Sequence, residues 1–96
     1  MIASFGDRTT EALFHGRGGS VVRHLPNDIR KVAVRKLDVI NAARELGDLR
    51  APPGNRLEQL KGDRKGMHSI RVNDQWRVVF SWRDGDAHDV SIVDYH

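Results

Sequence analysis

The tetrapeptide Ala51-Pro52-Pro53-Gly54 constrains the fold of this chain more than any other feature. Two consecutive prolines remove backbone donors and fix φ, and the glycine after them frees the backbone, so no helix or strand runs through this point. The break stands near the middle of 96 residues. Before it, apolar residues recur at helical spacing. After it, they alternate with period two. The chain is therefore a helical half followed by a β half, and residues 1–96 read as one small domain.

In the first half, Ile2 to Phe5 reads as a short strand. Asp7 is placed to cap a short helix running through about Phe14. His15 to Ser20 is a Gly-rich turn that lacks the spacing and the Lys-Ser/Thr of a phosphate-binding loop. Pro26 fits the first turn of a second helix. Ile29, Ala33, Leu37, Ile40 and Ala43 form one stripe of it, predicting an amphipathic helix that ends near Gly47 and packs on a sheet.

In the second half, Arg56 to Leu60 alternates and the polar run Lys61 to Gly66 turns the chain. Met67 to Val72 is a strand with Ile70 and Val72 on one face. Asn73-Asp74 marks a tight turn. Gln75 to Trp82 follows, with Trp76, Val78, Phe80 and Trp82 on one face and Arg77, Val79 and Ser81 on the other. Asp84-Gly85 is a hairpin signal, and Ala87 to Tyr95 is the last strand. Helices first and hairpins after predict an α+β domain with a mostly antiparallel sheet and two amino-terminal helices packed on it.

Composition narrows the function classes. The chain has no cysteine, so disulfide staples and thiolate metal sites are excluded. No apolar run approaches the ~18 residues of a membrane span, and the start does not read as a secretory signal. A soluble cytoplasmic protein is the expectation. The net charge of +3 is mild. Its distribution is not: Arg56, Lys61, Arg64, Lys65, Arg71, Arg77 and Arg83 outnumber Glu58, Asp63, Asp74 and Asp84 in residues 55–84. That stretch is the candidate polyanion surface, and an ordinary solvated face is its plain alternative.

His15, His24, His68, His88 and His96 show neither an H-E-x-x-H pattern nor i, i+4 pairing, so no metal site and no cofactor are expected. No G-x-S-x-G elbow is present, and His68 and Ser69 face opposite sides of their strand. Arg77, set between Trp76 and Val78, has three readings. It covers apolar surface with its stem, it pairs with an acid on a neighbouring strand, or it aims a guanidinium at phosphate. If each strand neighbours the next, residues 56–61, 77 and 94–96 converge on one side of the sheet. Glu58, Lys61, Arg77, Asp94, Tyr95 and His96 would then meet. That set holds acid/base groups, two cations and an aromatic ring, which is what metal-free cleavage of RNA by its own 2′-hydroxyl requires.

Three elements in this order, Leu57-Glu58-Gln59-Leu60-Lys61-Gly62-Asp63-Arg64, then Trp76-Arg77, then Asp94-Tyr95-His96, closely resemble HigB-type toxins of bacterial toxin–antitoxin modules. The likeness is greatest to the GraT-like branch, within the RelE superfamily. It extends over essentially the whole chain, including Ser4-Phe5 and Ala42-Ala43-Arg44-Glu45-Leu46. The resemblance implies a small curved antiparallel sheet flanked by helices, the RelE-like fold. It implies an endoribonuclease that enters the ribosomal A site on the 30S subunit and cuts mRNA there, slowing translation and growth. It also implies a HigA-type helix-turn-helix antitoxin, through which alone operator DNA is reached, and no membrane.

By the same resemblance Arg77 holds the scissile phosphate and Lys61 is the basic residue of the Leu-Lys-Gly element. His96 is general acid or base, Asp94 orients it, and Tyr95 stacks on or positions the nucleotide. Arg56, Arg64, Lys65, Arg71 and Arg83 are assigned to RNA backbone contact. The chain departs at one position: some members carry histidine where it has Glu58, and a carboxylate there serves as base or repels the RNA backbone. Two alternatives stand beside this reading. One is a ParE-like toxin that binds DNA gyrase without cutting RNA, and the other is a degenerate toxin kept as a partner of its antitoxin.

Overall fold

Asp7 starts the first helix, α1 (Arg8–Phe14), by accepting a hydrogen bond from the backbone N–H of Thr10 at 2.7 Å. Such a cap contributes about 1 kcal/mol and sets where the helix begins. The computed structural model describes residues 1–95. α2 spans Asn27–Ala42, with Pro26 at the cap position, where its missing donor leaves no bond broken. Ile29, Ala33, Leu37 and Ile40 form its buried stripe, as their spacing predicts.

The second helix stops at Ala42, short of the expected Gly47, because Ala43 is extended. The cause is local competition. The Asp48 carboxylate accepts the backbone N–H groups of Arg44 and Glu45, each at 3.0 Å, and Glu45 and Asp48 form a reciprocal capping box on a 3₁₀ turn, Leu46–Arg50. Those N–H bonds hold the Asp48 carboxyl below the usual carboxylate range. The turn also drives Leu49 fully into the core.

The proline break is clamped rather than loose. Asn55 ends a 3₁₀ turn, Pro53–Asn55, and is fully buried. Its amide donates to the carbonyls of Leu49 (3.2 Å) and Ala51 (3.1 Å), and its Oδ1 accepts from Lys36 Nζ of α2 at 2.5 Å. One buried side chain thereby fixes where the β half starts relative to the helix.

Strands β1 (Glu58–Gln59), β2 (Met67–Arg71), β3 (Trp76–Arg83) and β4 (Asp86–Asp94) form an antiparallel meander in sequence order. β1 is shorter than the alternation from Arg56 to Leu60 predicts. Arg56 occupies the left-handed region (φ 45°, ψ 58°), a conformation no strand continues through. Asp84 and Gly85 both have positive φ, as a two-residue hairpin turn requires. Both helices lie on the face bearing Ile70, Val72, Val78, Phe80, Val90 and Ile92, and these side chains share one core with the α2 stripe. Ser69, Arg77 and Val79 alternate to the other face.

The expected first strand is instead two isolated bridges, Ile2 to Ala87 and Phe5 to Val90, both parallel to β4. Ala3 and Gly6 donate to the carbonyls of Ala87 and Val90, and Val90 N–H donates to Ser4 (2.7, 2.9 and 3.1 Å). Ile92 N–H donates to buried Thr10 Oγ1 at 2.9 Å. The edge of β4 is thus covered rather than open to pairing with another chain. Gly6 makes the close approach possible: a Cβ there would overlap Ser91 Oγ and lie 3.0 Å from the Asp89 carbonyl oxygen. Gly6→Ala is expected to destabilise by about 1–3 kcal/mol through overpacking, read as a lower denaturant midpoint. An unchanged midpoint would mean the segment is free to shift outward. Among the described residues no helix is long and apolar enough to cross a membrane.

Candidate active site

Because both helices cover one face of the sheet, polar side chains of the other face can gather without entering the core. Arg77 is at their centre. Its side chain is 10 % exposed. Nη1 donates to Ser69 Oγ at 2.5 Å, and Nη2 donates to the Arg56 carbonyl (3.2 Å) and to Glu58 Oε1 (3.4 Å). Glu58 and Ser69 are direct cross-strand partners on β1 and β2, so both reach the guanidinium from the same face. The Tyr95 ring lies 5.9 Å from the Arg77 guanidinium carbon and 6.0 Å from that of Arg64. Tyr95 is held by its own N–H, which donates to the Gln75 carbonyl at 2.6 Å.

Of the three readings of Arg77, an ion pair with an acid is realised, but the acid, Glu58, reaches across β2 from β1 rather than from a neighbouring strand. It does not exhaust the group. A guanidinium has five N–H donors, and three bonds engage it among the described residues. The Glu58 side chain is 56 % exposed, so this pair is screened by water. Arg77 is therefore a largely buried cation with a water-exposed anion beside it.

The structure brings together Glu58, Arg77, Tyr95 and Arg64, and separates others. Asp94 pairs with Trp76, so alternation turns it toward the helix side, away from Val93 and Arg77. Its Oδ2 accepts from Gln75 Nε2 at 3.0 Å. The expected one-sided convergence thus fails for Asp94, since adjacent residues of an extended chain cannot share a face. His96 lies outside the described residues. Lys61 opens the 3₁₀ turn Gly62–Arg64 and, with Gln59, Leu60, Gly62 and Lys65, lines a cavity of about 410 Å³.

The basic residues assigned to RNA divide in the same way. Arg56 supplies its carbonyl to Arg77, and its own side chain is exposed. Arg71 pairs with Asp74 across the β2–β3 turn. Arg83 closes β3, six residues from Arg77 and hence about 20 Å along the strand. Ser69 was not picked out from sequence. Its signal is positional: it becomes legible only once the register of β1, β2 and β3 aligns it with Glu58 and Val79.

His68 faces the core side opposite Phe80, with ring centroids 6.2 Å apart, and burial holds its imidazole below the ordinary histidine range. His68 and Arg50 line one small cavity together with Leu46, Leu57 and Gln59. The folded protein therefore binds this proton less readily than the unfolded chain, so stability rises with pH here. The contribution is complete above the ordinary histidine value and is lost as pH falls through it toward the folded value. Denaturation midpoints are expected to drop more between pH 7 and pH 5 for the native protein than for His68→Gln. Parallel pH profiles would overturn this. Among the described residues no group of three His, Asp or Glu side chains is placed to hold a metal ion.

The profile of the family described as "RelE-like toxin of type II toxin-antitoxin system HigB" matches residues 4–96. The chain is 51 % identical over 65 residues to Toxin HigB-1 of Vibrio cholerae, covering 68 % of each protein. It is 36 % identical over 97 residues to Endoribonuclease HigB of Proteus vulgaris, covering 100 % of each. Among solved structures its fold is similar to the YoeB-YefM complex from Staphylococcus aureus, with a TM-score of 0.61 at 17 % identity over 100 % of this chain and 98 % of that one. It is similar too to YafQ from E. coli, with a TM-score of 0.55 at 15 % identity over 98 % and 93 %. At such identities the two structures speak for the fold alone.

Proposed function

The chain belongs to the RelE-like HigB toxins of type II toxin–antitoxin systems, and from that premise we propose how the sheet face opposite the helices works. The protein is an endoribonuclease toxin that cuts mRNA in the ribosomal A site, as a single domain, in the cytoplasm where translation occurs. The reaction needs no metal, because RNA brings its own nucleophile. The 2′-oxygen attacks the adjacent phosphorus, the bond from phosphorus to the 5′-oxygen breaks, and a cyclic 2′,3′-phosphate and a 5′-hydroxyl result.

Each site residue has a role in that sequence. The scissile phosphate takes the place of Glu58 beside Arg77, and the guanidinium stabilises charge growing on the non-bridging oxygens. The displaced Glu58 carboxylate removes the 2′-proton as general base. Lys61 adds positive charge. His96 delivers a proton to the departing 5′-oxygen, with Asp94 orienting it, and Tyr95 positions the nucleotide. Arg56, Arg64 and Lys65 hold the RNA backbone, with Arg71 and Arg83 further out. An antitoxin partners the toxin, and the HigA type, which carries the helix-turn-helix that meets operator DNA, fits the family.

The observation that carries this reading is the buried Arg77 guanidinium with a screened, water-exposed carboxylate beside it. The test is a translating extract with purified protein, followed by mapping of mRNA 5′ ends. Cuts inside codons of ribosome-engaged messages are expected. Intact mRNA, with supercoiling by DNA gyrase inhibited instead, would overturn the reading in favour of a ParE-like mode.

A further inference from the structure

The exposed carboxylate is not what fixes Arg77. Glu58 stands on a two-residue edge strand with more than half its side chain in water, and in the proposed reaction substrate displaces it. An arginine held by that contact alone would swing through its side-chain torsions once phosphate arrived. The two remaining acceptors are of another kind. Ser69 is fully buried on β2, an interior strand, and its Oγ takes one arm of the guanidinium at 2.5 Å. The Arg56 carbonyl takes the other arm at 3.2 Å, from a residue locked at φ 45°. One acceptor on each arm sets both the position and the plane of the fork.

We infer that Ser69 is a positioning residue for the cleavage reaction: with the Arg56 carbonyl it holds the Arg77 guanidinium in place while phosphate displaces Glu58. This inference rests on the endoribonuclease reading. A misplacement of about 1 Å at a reacting centre costs on the order of 100-fold in rate. Ser69 touches no reacting atom, so its effect should appear in the rate of bond cleavage and not in binding.

The experiment compares native protein with Ser69→Ala, Ser69→Cys and Ser69→Thr in single-turnover cleavage at saturating programmed ribosomes. Alongside, ribosome affinity, melting temperature and the NMR signals of the Arg77 guanidinium are measured. Ser69→Ala and Ser69→Cys are expected to cleave about 10- to 100-fold more slowly with ribosome affinity unchanged, measured at a temperature where every variant stays folded, since each leaves a buried guanidinium N–H without its acceptor and lowers the melting temperature. The restrained Nη signals of Arg77 should average in both. Ser69→Thr, which keeps the hydroxyl, should recover most of the rate. Cleavage at the native rate by Ser69→Cys, with Arg77 still restrained, would overturn the inference. So would a loss in Ser69→Thr as large as in Ser69→Ala while Arg77 stays restrained in Ser69→Thr. If the native protein cuts nothing, the endoribonuclease reading fails on its own, and the Arg77 signals still decide whether Ser69 holds the side chain.

Discussion

Arg77→Ala is expected to slow single-turnover mRNA cleavage by about 100- to 1000-fold, the loss typical of removing one charge-stabilising donor from a reaction centre. The reason lies in its surroundings. A guanidinium 10 % exposed, tied on both arms to Ser69 and the Arg56 carbonyl, is already aimed and needs no reorganisation as charge develops. Arg77→Lys should recover little of the rate, because an ammonium cannot take Ser69 Oγ and the Arg56 carbonyl in one rigid plane and still face a phosphate. Cleavage rate and ribosome co-sedimentation should be measured together. A rate within a few-fold of native at full occupancy would show that Arg77 is structural.

Glu58→Gln is the second large effect, a loss of about 100- to 10,000-fold, as general base catalysis commonly contributes. Glutamine keeps an oxygen to accept from Arg77 Nη2 and nearly the same shape, so folding and RNA affinity should hold. What it loses is the ability to take the 2′-proton. Glu58→His tests the same role from another side. It should cleave at neutral pH and lose rate on acidification, since protonated imidazole is no base. Native-like cleavage by Glu58→Gln would leave Glu58 only as the anion that holds Arg77 until substrate arrives.

Particular residues show which parts of the fold were legible. The α2 stripe, the Asp7 cap and the Asp84-Gly85 turn are legible in the sequence, because each is a local signal: a spacing, one side-chain oxygen, two residues that tolerate positive φ. Where the structure departs from the sequence pattern, a distant partner decides one place and local competition the other two. Residues 2–5 pair parallel to β4 because that edge was otherwise bare, and nothing within Ile2 to Phe5 encodes a partner more than eighty residues away. β1 is short because of the left-handed Arg56, and α2 is short because Asp48 captures two N–H groups ahead of it.

The site divides along the same line. Sequence by itself determined the candidate inventory, Glu58, Lys61, Arg77, Asp94, Tyr95 and His96, and the break at Ala51 to Gly54 that puts every one of them in the β half. It also determined the faces within each strand, since alternation is a property of the extended chain. Only the tertiary structure decided which faces meet. Register across β1, β2 and β3 set Glu58 and Ser69 beside Arg77, and register between β3 and β4 turned Asp94 to the other side. Register is chosen by burying Ile70, Val78, Phe80 and Val90 together under α2. That is a collective packing decision, and no single segment of the chain carries it.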